Sequence, residues 1–252
     1  MTKLRFEGRV LPKHITITVK DHPTLNWEDT KKDVTATFNV EIDNSAITIN
    51  FESNRSDPEH IQEATLIAID MSQVAVSLVA VREAEGIYAV LDNVHYEDGS
   101  TKQLVASDAR LKGLLTAVDT NEDTATVLEL LMTEPVLMLA IRDLADSIRT
   151  VHSGAINCGR VIDAICTYFI PVGRNNRAAG WGPMRSALNI KESCLKEISE
   201  ISKGPRHGNR KIEATADLGR VGANTWKIMN RFLEYRKRNN QPLPSAEFPE
   251  LS

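Results

Sequence analysis

The sequence predicts an α+β protein in two parts, because hydrophobic periodicity changes along the chain. Near the N-terminus apolar and polar residues alternate, as they do in half-buried strands, whereas helical periodicity predominates in the second half. We predict an antiparallel, β-rich α+β domain over residues 1–115 that contains one buried helix. An all-α bundle should follow over 116–240, and an extended, proline-containing tail over 241–252.

The strand predictions rest on alternation and on turn chemistry. Alternating runs cover 15–20 and 34–42, and Asp43-Asn44-Ser45 is typical of a turn that joins the second run to 47–51. A further strand region at 87–96 precedes a second turn and residues 103–105. Both turns indicate antiparallel hairpins.

One long helix is predicted inside the β-rich domain. Asp57, Pro58 and Glu59 are typical of an N-cap, a first helical proline and an acidic first turn, and the helix should extend to about Arg82. Its apolar residues surround the axis, so we expect it to pack between layers. The apolar stretch 64–81 includes one carboxylate and several other polar side chains, which favours a buried helix over a membrane span.

The helical half is predicted from periodicity and from turn residues. The expected helices are Thr124–Met132, Pro135–Arg149, Ala155–Ile170, Ala178–Leu188, Lys191–Ser202 and Thr215–Arg238. Prolines prevent the tail from continuing the last helix. We expect the tail to pack through Leu243, Phe248 and Leu251.

Composition excludes several functional classes. With 252 residues, 42% hydrophobic and 25% charged, the chain resembles a soluble globular protein, and we expect it in the cytoplasm without membrane association. Three cysteines and six histidines lack metal-ligand spacing, so no metal site and no cofactor is expected. Phosphate-loop, dinucleotide-binding and hydrolase-elbow motifs are absent from the sequence.

The charge distribution indicates one local anionic partner. The net charge is −4, but residues 201–240 contain ten Lys and Arg against three Asp and Glu. Within them Lys203–Arg210 is interpreted as a basic, glycine-punctuated turn that precedes a long helix. The candidate anion-binding residues are Arg206, His207, Gly208, Asn209 and Arg210.

Two other interpretations of this turn stay open. Arg206 and His207 could pair with acidic residues such as Glu134 or Asp143 and so lock the bundle. Alternatively, His207 could move the proton of an RNA 2′-hydroxyl while Arg206 stabilises the phosphate charge. No complete catalytic set is recognisable, so a non-enzymatic function is favoured. Arg174-Asn175-Asn176-Arg177 is a second, smaller basic loop.

Several segments of the second half carry a family resemblance: Ala155–Arg160, Trp181–Asn189, Gly204–Gly208 and Ile228–Arg236. They look like an uncharacterised bacterial protein family, and the helical half is similar to the higher-eukaryote-and-prokaryote nucleotide-binding (HEPN) superfamily. That resemblance implies a helical bundle that forms homodimers. Active ribonucleases of the superfamily have an Arg several residues before a His, whereas Arg206 and His207 are adjacent here.

We therefore expect a non-enzymatic or weakly enzymatic binding or regulatory protein. Its basic turn would contact RNA, a nucleotide or an acidic protein partner. The alternatives are a metal-independent HEPN-type ribonuclease and a structural homodimer subunit.

Overall fold

The chain divides into a β-rich unit, Met1–Val105, and a helical unit, Ala106–Ser252. The computed structural model describes residues 2–19, 24–29, 33–104, 110–149, 153–206 and 215–252. An antiparallel sheet in the first unit and helices in the second confirm the predicted α+β class.

The first unit contains one six-stranded sheet and one helix. Its elements are β1 (Thr2–Leu11), β2 (Thr24–Asp29), β3 (Val34–Asp43), β4 (Ala46–Ser53), α1 (Pro58–Glu83), β5 (Tyr88–Tyr96) and β6 (Thr101–Gln103). The strand order is β2-β3-β4-β1-β5-β6, and every pairing is antiparallel. Because β1 lies between β4 and β5, α1 connects two parallel strands that are not neighbours, which is a split β-α-β arrangement.

Local chemistry explains the hairpin and the bend in the sheet. Asn44 and Ser45 have φ of 48° and 66°, which the tight turn between β3 and β4 requires, so this predicted hairpin is confirmed. A bulge in β5 leaves the backbone of Asp92 without a pairing residue on β1, although its carboxylate lies 3.0 Å from the guanidinium of Arg9. Gly8 faces the bulge, where a Cβ atom would lie 2.2 Å from the carbonyl oxygen of Val90.

Helix α1 begins as predicted, since Asp57 caps it and Pro58 is its first residue. Its buried side chains recur every four residues: His60, Ala64, Ala68, Ser72 and Val76. They pack on the sheet, so the helix is buried along one face. The expectation of burial between two layers is wrong for the described residues, because Leu78 is 71% exposed and Val81 82%. Length and composition alone would let this helix cross a membrane.

The strand prediction before residue 34 is wrong, whereas the predicted strand at 34–42 is observed as β3. Residues 15–19 alternate as a strand should, yet they form only an isolated bridge between Val19 and Ile42. Ser45 takes up their backbone groups: its Oγ accepts from Ile17 N and donates to Ile15 O, both at 2.9 Å. The strands that pair instead are β1 and β2.

The second unit contains six described α-helices. They are α2 (Asn121–Thr133), α3 (Pro135–Arg149), α4 (Gly154–Thr167), α5 (Ala178–Leu188), α6 (Glu192–Arg206) and α7 (Thr215–Lys237), and a short 3-10 helix, Thr116–Val118, precedes them. The core of this unit includes residues of α5 and α7. Trp226, Met229 and Leu233 of α7 and Met184 and Leu188 of α5 are buried.

Arg231 of α7 ties the C-terminal tail to the bundle. Its guanidinium donates to the carbonyl oxygens of Leu188 and Asn189 at 2.9 and 2.6 Å and to that of Pro249 at 2.5 Å. Leu243 and Leu251 are buried in the core of the unit, with Phe248 packed against it. The side chain of Arg231 therefore binds both the C-terminus of α5 and the tail.

Helix α6 continues further than the sequence indicated. Residues 203–206 were assigned to a turn, yet they form the last turn of α6. Gly204 and Pro205 are poor residues for a helix interior, and α6 ends at Arg206, directly after the proline.

Candidate anion-binding junction

The predicted site lies where α6 and α7 are joined, and the structure describes only its borders. Arg206 is the last residue of α6, and α7 begins at Thr215. His207, Gly208, Asn209 and Arg210 lie outside the described residues. We call the chain from Lys203 to Thr215 the α6–α7 junction.

The borders of the junction are two helix ends of opposite polarity. Lys203 and Arg206 occupy the C-terminal turn of α6, where a cation complements the partial negative charge of the helix dipole. The N-terminus of α7 carries partial positive charge and free N–H groups, which favour an anion. Arg206 thus belongs to the helix end at the beginning of the junction, nine positions before the first described helical residue of α7.

A cation that the sequence analysis missed lies beside the start of α7. The guanidinium of Arg110 packs on Gly219, where a Cβ atom would come within 2.1 Å of its Nη1. Arg110 is otherwise exposed. A glycine inside a helical pattern often marks a close approach of another group, so Gly219 was the available signal. Arg110 adds positive charge near the first turns of α7.

The basic residues at the C-terminal end of α7 pair with acidic residues of the same chain. Arg236 pairs with Glu134, Lys237 with Asp123, and Arg238 with Glu247 at 2.6 Å. Hydrogen bonds from Lys237 and from Thr120 hold the pKa of Asp123 below its usual value of 3.8. The positive charge at this end is therefore balanced by acidic groups of the same chain.

Two further basic residues of α7 also have partners within the chain. Arg220 pairs with Glu197 of α6, and Arg231 binds the three carbonyl groups described above. Five of the ten basic residues of 201–240 therefore have partners among the residues that the structure describes. Four of the other five, Lys203, Arg206, Arg210 and Lys211, are concentrated at the junction.

The bundle-locking interpretation named Glu134 and Asp143 as acidic partners of Arg206 and His207. Glu134 instead pairs with Arg236, and the two side chains are about four-fifths buried. Asp143 lies 3.7 Å from Arg160 of α4. Tyr168 lies under Arg236, and burial together with the nearby Glu134 raises the pKa of Tyr168 to about 12. These contacts lock α2 and α3 to neighbouring helices.

One arginine of the second basic loop, Arg177, has partners within the chain. Arg177 pairs with Asp163 and lies over the ring of Trp181, 5.2 Å from its centroid. Arg177 therefore fixes the loop to α4 and α5 and contributes little free charge.

A buried serine–histidine pair occurs in the first unit, beside a cavity of about 140 Å³ at the start of α1. His60 Nε2 lies 2.8 Å from Ser53 Oγ, and the ring stacks on Trp27. Ser53 Oγ donates its proton to the carbonyl oxygen of Thr35 at 3.1 Å. The imidazole must then donate to the serine, so this pair does not activate a nucleophile.

A second hydrogen-bonded histidine crosses three strands of the sheet. His95 Nε2 lies 2.8 Å from Glu7 on β1, and its Nδ1 lies 2.9 Å from Thr101 Oγ1 on β6. Glu7 also pairs with Arg5 at 2.6 Å. A carboxylate, a histidine and a hydroxyl also follow one another in some catalytic sites. Here Arg5 lies directly opposite His95, and His95 directly opposite Thr101, so ordinary cross-strand pairing explains the hydrogen bonds.

Metal and thiol chemistry gain no support from the described residues. No three His, Cys, Asp or Glu side chains come together there as a metal-binding group. The three cysteines are buried, and burial raises the pKa of Cys158 and brings that of Cys194 to about 11. Such thiols are poor nucleophiles at neutral pH.

Comparison with known proteins identifies a family for both units. Residues 4–105 match the model of the N-terminal domain of DUF8168, a domain of unknown function, and residues 123–237 match the model of its C-terminal domain. No curated protein and no solved structure matches the chain. The resemblance to HEPN proteins stays a prediction.

Proposed function

We propose that this chain, which belongs to the DUF8168 family, is a non-enzymatic binding protein that contacts an anionic partner through the α6–α7 junction. The partner is RNA, a nucleotide or an acidic protein surface, which share the negative charge that Arg206 and Arg210 would bind.

One observation carries the proposal: the basic residues of 201–240 fall into two groups. Arg220, Arg231, Arg236, Lys237 and Arg238 bind groups of their own chain. Four of the other five basic residues lie at the junction in the sequence, where the dipole of α7 also favours an anion. A short basic segment next to a helix N-terminus suits a phosphate or a carboxylate.

The test is a binding titration with three probes: a labelled single-stranded RNA of mixed sequence, ATP, and polyglutamate. We expect wild-type protein to bind at least one probe more weakly as salt rises. Arg206→Ala with Arg210→Ala should weaken that binding about tenfold at low salt. For RNA it should also lower the slope of log K against log salt by about 1.4, or roughly 0.7 for each lost phosphate contact.

Lys227→Ala provides a matched control. Lys227 is an exposed cation on α7, about 18 Å along the helix from Thr215, and no hydrogen bond or ion pair of its side chain occurs among the described residues. The control should bind as wild type does. Equal binding by the double variant and wild type, with every probe, would contradict the proposal.

An RNA cleavage assay with the same protein distinguishes catalysis from binding. RNA incubated in EDTA should stay intact in the presence of wild type. Cleavage that His207→Ala abolishes would replace the binding function with a metal-independent ribonuclease.

A further inference from the structure

An exposed apolar surface lies on two consecutive helices of the second unit. Of the eleven exposed large hydrophobic residues in the described chain, five fall between positions 128 and 139. They are Leu128, Met132, Val136, Met138 and Leu139, and we call them the α2–α3 surface. Such a concentration is unusual for a solvated surface and is typical of an interaction site.

The pattern of burial shows which faces are turned outward. Val127 is the only buried residue among the 13 of α2. In α3 the buried residues are Leu137, Ala140 and Leu144, which lie on one face and pack in the core of the unit.

Within each helix the exposed residues are neighbours. Leu128 and Met132 are four positions apart, and Val136 and Leu139 are three, so each pair lies on one helix face. Met132 is 84% exposed. The two helices are bent by 118° at the break between them, so their outward faces meet at an angle.

Charged groups of opposite sign border this surface. Glu129 follows Leu128 on α2 and lies one turn from Met132, and Arg142 lies one turn beyond Leu139 on α3. Both side chains are exposed, and within the described part of the chain neither has an ion pair or a hydrogen bond. The surface therefore has an acidic border on α2 and a basic border on α3.

We propose that the α2–α3 surface is the interface between two copies of this chain, related by a twofold axis. Such an interface is self-complementary when α2 of one copy lies on α3 of the other, because Glu129 then meets Arg142 twice. The acidic residues Glu122 and Glu129 disfavour an anionic membrane as the occupant. The interface is separate from the α6–α7 junction in sequence and in chemistry.

The size of the surface sets the expected strength. Helices α2 and α3 have 13 and 15 residues, and about half of them are exposed. Stable interfaces use about 20 to 30 residues on each side. We therefore expect a dimer that dissociates at about 1 to 100 µM.

Analytical ultracentrifugation of the full chain across that concentration range tests the proposal. The mass should rise from 28.0 kDa toward twice that value. Met132→Lys should raise the dissociation constant at least about tenfold, since it buries a charge in the apolar centre. Val81→Lys is the matched control: Val81 is equally exposed, at 82%, but lies on α1, and its dimer should be unchanged. Circular dichroism melts verify that both variants fold.

A charge exchange tests the twofold pairing. Glu129→Arg and Arg142→Glu should each weaken the dimer, and the protein with both changes should recover wild-type affinity. A monomer at every concentration, or a dimer that Met132→Lys leaves intact, would overturn the proposal. A double variant no better than the single ones would overturn the twofold arrangement. Liposome binding by a monomer, lost in Met132→Lys, would make a membrane the occupant.

Discussion

The two ends of α7 have similar numbers of basic residues nearby, and those at the C-terminal end are paired within the chain. At the C-terminal end, Arg236, Lys237 and Arg238 each contact an acidic side chain of the same chain. At the N-terminal end, the sequence places Arg206, Arg210 and Lys211 next to a helix N-terminus. A local excess of cations in a sequence therefore overestimates the charge available to a partner, because part of it neutralises acids that are distant in sequence.

The helix dipole contributes to this difference. Cations at the C-terminal end of α7 complement its partial negative charge, and the acids of α2 strengthen the same arrangement. Cations before its N-terminus are opposed by the dipole, and an anion that binds there relieves the repulsion. The first group should govern stability and the second should govern binding.

The largest effect on stability is expected at Arg231. Arg231→Ala should lower the free energy of unfolding by about 3 kcal/mol, because three carbonyl groups lose a charged donor and the tail loses its attachment. Urea denaturation measures it. Arg231→Lys keeps the charge but lacks the planar fork, so about half of the loss should remain. A loss below about 0.5 kcal/mol in Arg231→Ala would show that Arg231 does not hold the tail.

A smaller effect is expected from the pair at the far end of α7. Arg236→Ala should cost about 2 kcal/mol, since it leaves Glu134 largely buried without its cation. Arg238 lies two positions further along the chain, and its pair with Glu247 is more exposed. Arg238→Ala should therefore cost no more than about 0.5 kcal/mol. Neither change should alter binding of an anionic probe. If Arg236→Ala still folds but binds the probe more weakly, the partner binds at the C-terminal end of α7, which would contradict the proposal.

The smallest effect is a pH dependence at Asp123. Its pKa in the folded protein lies below 3.8, mainly because Lys237 and Thr120 donate to it. The unfolded chain thus takes up the proton first as the pH falls, and the contribution of this group is present above the usual pKa and lost below it. The difference in Tm between wild type and Lys237→Met should be largest above pH ~5 and shrink below pH ~3. A difference independent of pH would contradict the ion pair.

Much of the fold followed from the sequence where chemistry is local. Asp57 and Pro58 identified the start of α1, and Asn44 and Ser45 identified the tight hairpin, since each depends on groups only a few residues apart. These signals need no knowledge of distant partners.

The failures concern contacts between residues far apart in sequence. The segment 15–19 alternates like a strand, but β1 and β2 occupy the sheet positions instead. The length of α6 was underestimated because Gly204 and Pro205 are typical turn residues, yet the helix includes both and ends one residue later. The pairing of Arg236 with Glu134 joins residues about one hundred positions apart, which a linear charge pattern cannot show.

Hydrogen exchange with mass spectrometry, with and without whichever anionic probe binds, tests the central claim most directly. The α6–α7 junction should become protected when the probe is present, because bound phosphate or carboxylate groups would occupy its backbone N–H groups. Peptides that cover 203–215 should therefore exchange more slowly, whereas those that cover 227–238 should not change. Protection confined to 227–238, or no protection at the junction when the probe is bound, would contradict the assignment of the partner to this end of α7.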